Sequence, residues 1–420
     1  MMKKYLLNFF NFIFLSLALN FFDSKNFLFF FSELNNKELF FIDNLLNNIF
    51  FSELNNKQLF FINNFFNNVF VYNTDFGIQF MLLILILSTL IPVLLTVAFF
   101  TVLERKILAS VQRRRGPNVV GFWGILQAIA DGVKLILKEI VIPNRANPIF
   151  FIFAPMWILI TSFTGWAIIP FNYDNFYCDF EYSILYLLAM SSLGIYGLIL
   201  AGWGSNSRYA FLGGLRSVAQ LISYEVSLGL ILLPIILASN SLNFMEIILV
   251  QEKTIYFCFP FFPLLIIFFI TILAETNRTP FDLPEAEAEL VAGFNVEYSS
   301  TTFALFFLGE YSSILLMSVF LVNLFFGGWL PLFFCSFFSP TFWFVFKVIF
   351  VCLFFILIRG ALPRYRYDQL MSIGWKIFLP FTLSFFYFIS IILIWFDAFI
   401  YNDSILIVYF LNSYSLLFFN

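Results

Sequence analysis

Residues 274–300, AETNRTPFDLPEAEAELVAGFNVEYSS, carry Glu275, Asp282, Glu285, Glu287, Glu289 and Glu297 against a single base, Arg278. Carboxylates crowded into one stretch repel one another, so some hold protons near neutral pH and can exchange them with water or a bound ligand. Two further acids lie inside apolar runs: Glu225 in RSVAQLISYEVSLGL, beside Tyr224 and inward of Arg216, and Glu310 in ALFFLGEYSSILLM. An ionisable group in hydrocarbon is costly, which makes each one a functional hypothesis. The plain alternative is a hydrogen bond between helices. Two such acids, on stretches either side of the acidic loop, favour proton transfer.

Basic residues form a second chemistry. Glu104 to Gly121, ERKILASVQRRRGPNVVG, joins a charged helix end to a triple arginine and a Gly-Pro turn. Taken alone, this segment suits a stop-transfer cluster that binds anionic lipid. Phe122 to Val141 follows, with Gln127, Asp131, Lys134 and Lys138 repeating at three and four residues. That spacing predicts an amphipathic helix lying in the membrane interface or lining a cavity. A third segment, Arg359 to Met371, sets Asp368 among Arg364, Arg366 and two tyrosines, an arrangement suited to ion pairs at a helix end.

The chain has no histidine, and Cys178, Cys258, Cys335 and Cys352 are scattered without a C-x-x-C pair. The commonest metal ligand and the usual near-neutral proton shuttle are therefore missing. A haem, zinc or iron–sulfur site within this chain is not expected. Any redox chemistry needs electron carriers in another subunit, and any proton relay uses Asp, Glu, Lys, Tyr and water.

The elements that must position these groups are membrane spans. The composition is 61% hydrophobic and 11% charged, against about 25% charged in globular chains, which predicts an all-α polytopic membrane protein. A net charge of -3 without a basic stripe gives no reason to expect nucleic acid as a partner. The 67 phenylalanines, with abundant Asn, Ile and Leu, fit the drift of an AT-rich genome such as some mitochondrial DNAs.

Eight apolar stretches of near-spanning length are expected, at Ile78 to Leu103, Ile149 to Pro170, Ile184 to Trp203, Val218 to Ala238, Ile255 to Leu273, Thr302 to Leu324, Phe342 to Ile358 and Ile377 to Phe396. Their connecting loops alternate in charge. Arg105 to Arg145, Arg208, Arg216, Arg278 and Arg359 to Lys376 fall on one side, while the other side has Lys253 with Asp174, Asp179, Glu181, Glu246 and Glu252. The basic side is the cytoplasmic or matrix side. Residues 77–400 thus make an eight-helix membrane domain, followed by a tail at 401–420. Residues 1–76 are a low-complexity extension in which FFSELNNKELFFIDNLLNNIF recurs as FFSELNNKQLFFINNFFNNVF. Its start, Met1 to Phe22, suits a signal-anchor or a peripheral helix.

Four segments carry a resemblance: ERKILASVQRRRGPNVVGFWGILQAIADGVKLILKE, SNSRYAFLGGLRSVAQLISYEVSLGL, LAETNRTPFDLPEAEAELVAGFNVEYSS and LPRYRYDQLMSIGWKIFLP. Over roughly Gly77 to Phe396 the chain resembles the subunit 1 family of NADH dehydrogenase, the respiratory complex I of mitochondria. The resemblance implies a multi-pass subunit of the inner membrane, with its basic loops facing the matrix, in a proton-pumping NADH:ubiquinone oxidoreductase. Ubiquinone would be its substrate, and flavin and iron–sulfur clusters would belong to other subunits. It also implies a quinone channel lined by Arg105, Arg114, Arg115, Asp131, Lys134, Arg278 and Phe281. Proton coupling would fall to Glu225, Glu275, Asp282, Glu285, Glu287, Glu297 and Glu310. Implied partners are the quinone-site subunits of the peripheral arm, small membrane subunits, antiporter-like subunits and lipids such as cardiolipin. Two other classes stay open: the membrane anchor of a related hydrogenase-type complex, and a free-standing proton-coupled transporter, for which inverted repeats would be expected.

Overall fold

The computed structural model describes residues 75–173, 178–283, 293–331 and 339–395. Nearly all of the N-terminal extension, the tail 401–420, Cys335, and Glu285, Glu287 and Glu289 of the acidic loop lie outside the described residues. The chain divides into two compact units. Residues 15–95 form one, of which the first part of helix α1 is described. The other takes in residues 96–395 of the described chain and holds every contact discussed below.

The described residues are helical, with no strand among them. Helix α1 (Asp75–Val111) leads through a 3-10 turn (Phe122–Gly124) to α2 (Gln127–Leu137). Then come α3 (Pro148–Thr164, extended by a 3-10 turn to Ile168), α4 (Ser183–Gly204), α5 (Arg208–Ser239), α6 (Phe244–Lys253) and α7 (Phe262–Glu275). After a 3-10 turn at Gly293–Asn295 follow α8 (Ser300–Phe325), α9 (Pro340–Ala361) and α10 (Tyr367–Ile373), which continues through a π turn at Gly374–Phe378 into α11 (Leu379–Trp395).

Among the described residues seven helices are long and apolar enough to cross a membrane, from 21 residues at Pro148–Ile168 to 32 at Arg208–Ser239. The protein is an all-α polytopic membrane protein. The stretch expected at Ile255 to Leu273 takes a different form. Its N-terminal part is a turn, Pro263 opens the helix, and only the 14 residues of α7 are helical. Proline suits a first helical turn because its missing N–H has no intrahelical partner there. At 1.5 Å per residue α7 is about 21 Å long, short of the ~30 Å hydrocarbon core. It ends inside the protein, which takes one carboxyl oxygen of the half-buried Glu275 out of reach of solvent.

Sequence chemistry sets the other ends in the expected way. Ser207 caps α5 by accepting from the Ala210 N–H, and Asn240 closes it in the left-handed conformation. Asn243 opens α6 by accepting from the Met245 N–H at 3.0 Å. Helices α3, α4, α5 and α8 pack around Phe151, Leu198, Leu221, Phe294, Tyr298 and Phe306, with Phe151 stacked on Tyr298 at 4.2 Å. The approach is close because small residues face each other. A Cβ on Gly213 of α5 would stand 2.8 Å from the Cα of Gly293, so the acidic loop's last turn rests directly on α5.

Candidate functional site: an ionic hub and an acidic cavity

The loop after α7 is held from several sides. The Gln220 amide on α5 donates to the carbonyls of Ala274 at 2.9 Å and Phe281 at 2.8 Å, bracketing the loop. The Tyr365 N–H donates to the Pro280 carbonyl at 3.1 Å, and Phe281 stacks on the Tyr365 ring at 5.7 Å. Arg364 donates to Asp282, which is buried, at 3.0 Å. Asp282 therefore ties the loop to the segment before α10. Asp368 plays the expected helix-end part, but only as an exposed contact with Arg366 at 3.8 Å, a weak interaction in water.

Held this way, the loop carries Arg278 into a buried ionic hub. Glu104 of α1 accepts from the Arg359 guanidinium of α9. Arg278 stands 3.6 Å from the same carboxylate oxygen, and the Tyr311 hydroxyl of α8 donates to the other oxygen at 2.5 Å. The Arg278 guanidinium also lies over the Tyr311 ring, 4.4 Å from its centre. Glu104 is 5% exposed, so its charge persists there only because two cations and a hydroxyl replace water around it. Away from the hub, burial in the apolar core around Phe151 raises the titration of the Tyr298 phenol, which stays neutral and donates to the Ala201 carbonyl at 3.4 Å.

On the other side of the same loop lies a cavity of about 100 Å³. Glu275 and Glu310 line it with Thr276 and Asn277, and Thr161, Ser162, Ser191 and Ser313 add polar side chains to an otherwise apolar wall of residues such as Met190, Leu221 and Met317. One buried oxygen of Glu275 has no hydrogen-bond partner among the described residues. Glu225, half-buried on α5, is near enough for its charge to act on Glu275. Hub and cavity are back to back. Consecutive residues serve both: Asn277 lines the cavity and Arg278 enters the hub, while Glu310 lines the cavity and Tyr311 enters the hub.

The residues singled out from sequence fall into separate groups. Glu275 and Glu310 meet at the cavity, and Glu225, outside its lining, is near enough for its charge to act on Glu275. Arg278 joins the hub, and Phe281 and Asp282 sit in the clamped loop. Arg105 pairs with Asp131 at 2.6 Å, and Gln127 donates to the other Asp131 oxygen at 2.8 Å, so the polar stripe of α2 docks on the end of α1. Arg114, Arg115 and Lys134 are exposed and do not join the hub. Glu297 is half-buried and is not among the residues lining the cavity. Glu285 and Glu287 lie outside the described residues. Glu104, Tyr311, Arg359 and Gln220 are not among the site residues expected from sequence. Glu104 had a signal, an acid at the end of an apolar run, but its basic neighbours made it read as part of a surface cluster.

The sequence profile of the NADH dehydrogenase family matches residues 84–390. The chain belongs to the NADH dehydrogenase family. It is 55% identical over 319 residues to NADH-ubiquinone oxidoreductase chain 1 of Chondrus crispus, which covers 75% of this chain and 98% of that relative. It is likewise 55% identical over 302 residues to the protein of that name in Arabidopsis thaliana, 71% of this chain and 93% of the relative. An NADH-quinone oxidoreductase subunit of Rhodospirillum centenum is 49% identical over 328 residues, 77% of this chain and 97% of that relative. Hub, cavity and the α1–α2 ion pair all fall within the family match, whereas residues 1–83 of this NADH dehydrogenase family member lie before it.

Proposed function

We propose that the chain is a membrane subunit of a proton-translocating NADH:ubiquinone oxidoreductase, enclosing the route of ubiquinone to its site of reduction and passing the outcome to protonatable groups in the membrane. The back-to-back arrangement of hub and cavity carries this reading. Reduction of a quinone consumes two electrons and two protons per molecule, so it changes charge and hydrogen bonding wherever the headgroup lies. A hub that keeps one carboxylate between two guanidiniums is sensitive to such a change. Because Arg278 and Tyr311 are bonded neighbours of Asn277 and Glu310, a shift in the hub moves the cavity's acids, and their proton affinities follow.

The quinone passes the end of α1 and the α2 helix, where Arg105 and Asp131 pair, with Arg114, Arg115 and Lys134 toward the basic face. The electrons come from carriers on a partner subunit of the peripheral arm. Glu225, Glu275 and Glu310, with Asp282, Glu285, Glu287 and Glu297 of the loop, make up the acidic junction toward antiporter-like partner subunits. The basic loops face the mitochondrial matrix by the positive-inside rule, and anionic lipid such as cardiolipin meets them there.

Assembled enzyme carrying Arg115→Ala or Asp131→Ala tests the quinone part. NADH:ubiquinone reductase activity is expected to fall several-fold while NADH oxidation by a hydrophilic artificial acceptor stays near normal. Equal loss of both activities in fully assembled enzyme would count against a quinone role.

A further inference from the structure

Asn277 has so far served only as the backbone neighbour of Arg278, yet its placement is unusual in three respects. Its backbone is left-handed, with φ of 50°, a conformation Asn tolerates better than most side chains. It lines the cavity together with both Glu275 and Glu310. Its side-chain oxygen is buried and, among the described residues, has no hydrogen-bond partner, as is true of one oxygen of Glu275. Two buried acceptors on residues that line one cavity are costly unless something donates to them. Water does so where there is room and there are several polar partners, and a space of about 100 Å³ meets that need with the hydroxyls of Thr161, Ser162, Ser191 and Ser313 around it.

We propose that Asn277 is the positioning residue of this cavity, holding a water between the carboxyls of Glu275 and Glu310 so that a proton can pass from one to the other. The inference rests on the acidic-junction reading and deepens it. The step balances without a co-reactant: one carboxylic acid gives its proton to the bound water, the water gives a different proton to the opposite carboxylate, and the water is restored. The amide takes no proton. It fixes the water by accepting from it through Oδ1, which an amide does without titrating. The helix end supplies rigidity, since Asn277 stands two residues past the end of α7 and its N–H donates to the Ala274 carbonyl at 3.3 Å.

The test uses the complete assembled complex in proteoliposomes. Asn277→Gly keeps the left-handed backbone and removes the amide, and Asn277→Asp keeps the backbone and restores a side-chain oxygen. The expected result for Asn277→Gly is a five-fold or greater loss of quinone-driven proton uptake and of quinone turnover together, with a larger solvent deuterium isotope effect. Asn277→Asp should recover most of both. If the glycine variant does not assemble, Gly194→Val takes its place. Gly194 lines the same cavity, and a Cβ there meets only the Thr161 hydroxyl, at an ordinary 3.6 Å. An apolar group in the cavity should displace water and raise the isotope effect in the same way. Assembled Asn277→Gly, or Gly194→Val in its place, with unchanged proton uptake and isotope effect overturns the proposal. So does equal loss in the glycine and aspartate variants without a change in isotope effect. Glu275→Gln and Glu310→Gln separate this from the underlying reading. If they uncouple the enzyme while Asn277→Gly does not, only the bridging role fails; if they have no effect, the acidic junction itself fails.

Discussion

Glu104 and Glu310 are both acids on membrane helices, and their surroundings assign them different work. Glu104 is fixed by Arg359, Arg278 and Tyr311, so its ionised form is the one the site stabilises. Removing one partner from such a buried group costs about 3–5 kcal/mol, because the remaining charges lose their compensation. Glu310 instead lines a cavity with Glu275, and Glu225 acts on Glu275 from α5. Glutamine preserves the size and a hydrogen-bonding head but carries no dissociable proton. In assembled enzyme, Glu225→Gln and Glu310→Gln should therefore lower quinone turnover and proton uptake together, because a blocked proton step stalls the redox step in a tightly coupled machine. Parallel assays of NADH oxidation and proton uptake decide it, and unchanged rates and stoichiometry would reduce that acid to an interhelical hydrogen bond.

At the scale of elements, the loops between helices are held by side chains that reach out of neighbouring spans. Gln220 does this for the loop after α7. Lys347, in the middle of an apolar helix, does it at the far end of α8. Its ammonium donates to the carbonyls of Phe326 at 2.7 Å, Gly328 at 2.9 Å and Leu330 at 2.6 Å, spending all three donors on a turn that has left helical geometry. Gly327 and Gly328 are both left-handed there, which lets three carbonyls converge on one point. A cation at a helix C-terminus is also favoured by the helix dipole. Lys347→Met keeps the stem and removes the donors. Each buried carbonyl left without its donor costs about 1–3 kcal/mol, so the variant should dissociate from the detergent-solubilised complex at a lower temperature. Residual turnover per assembled complex should stay close to normal, since the turn is remote in sequence from hub and cavity; a turnover defect at full assembly would contradict a purely structural lysine.

For the whole molecule, the family match at 84–390 contains every group assigned to the hub and the cavity, and the duplicated segment lies before it. A low-complexity extension with no acid inside its one long apolar run supplies nothing the proposed chemistry uses. Its expected part is packing against partner subunits or lipid. Deleting residues 25–72 should reduce the yield of assembled complex on native gels before it alters turnover per complex. Normal assembly with lowered turnover would overturn that expectation.

The class, seven of the eight expected spans and most of the chemical inventory are legible in the sequence, because membrane burial leaves one-dimensional marks. Apolar runs of spanning length are visible without a fold, the basic residues collect in alternating loops, and charges such as Glu225 and Glu310 stand out against hydrocarbon. The α2 stripe was legible for the same reason, as a periodicity within one helix, and the Gln127–Asp131 bond follows from its four-residue spacing. Tertiary structure decided which charges meet. Nothing in the local pattern of ERK says that Glu104 turns inward to Arg359, 255 positions away, while Arg105 turns outward to Asp131. Nor does local pattern show that α7 stops at 14 residues, leaving its C-terminal end and the loop beyond it between a hub and a cavity. Such pairings depend on helix rotation and packing, set by close approaches such as Gly213 against Gly293 and by clamps such as Gln220, and these are properties of several elements at once.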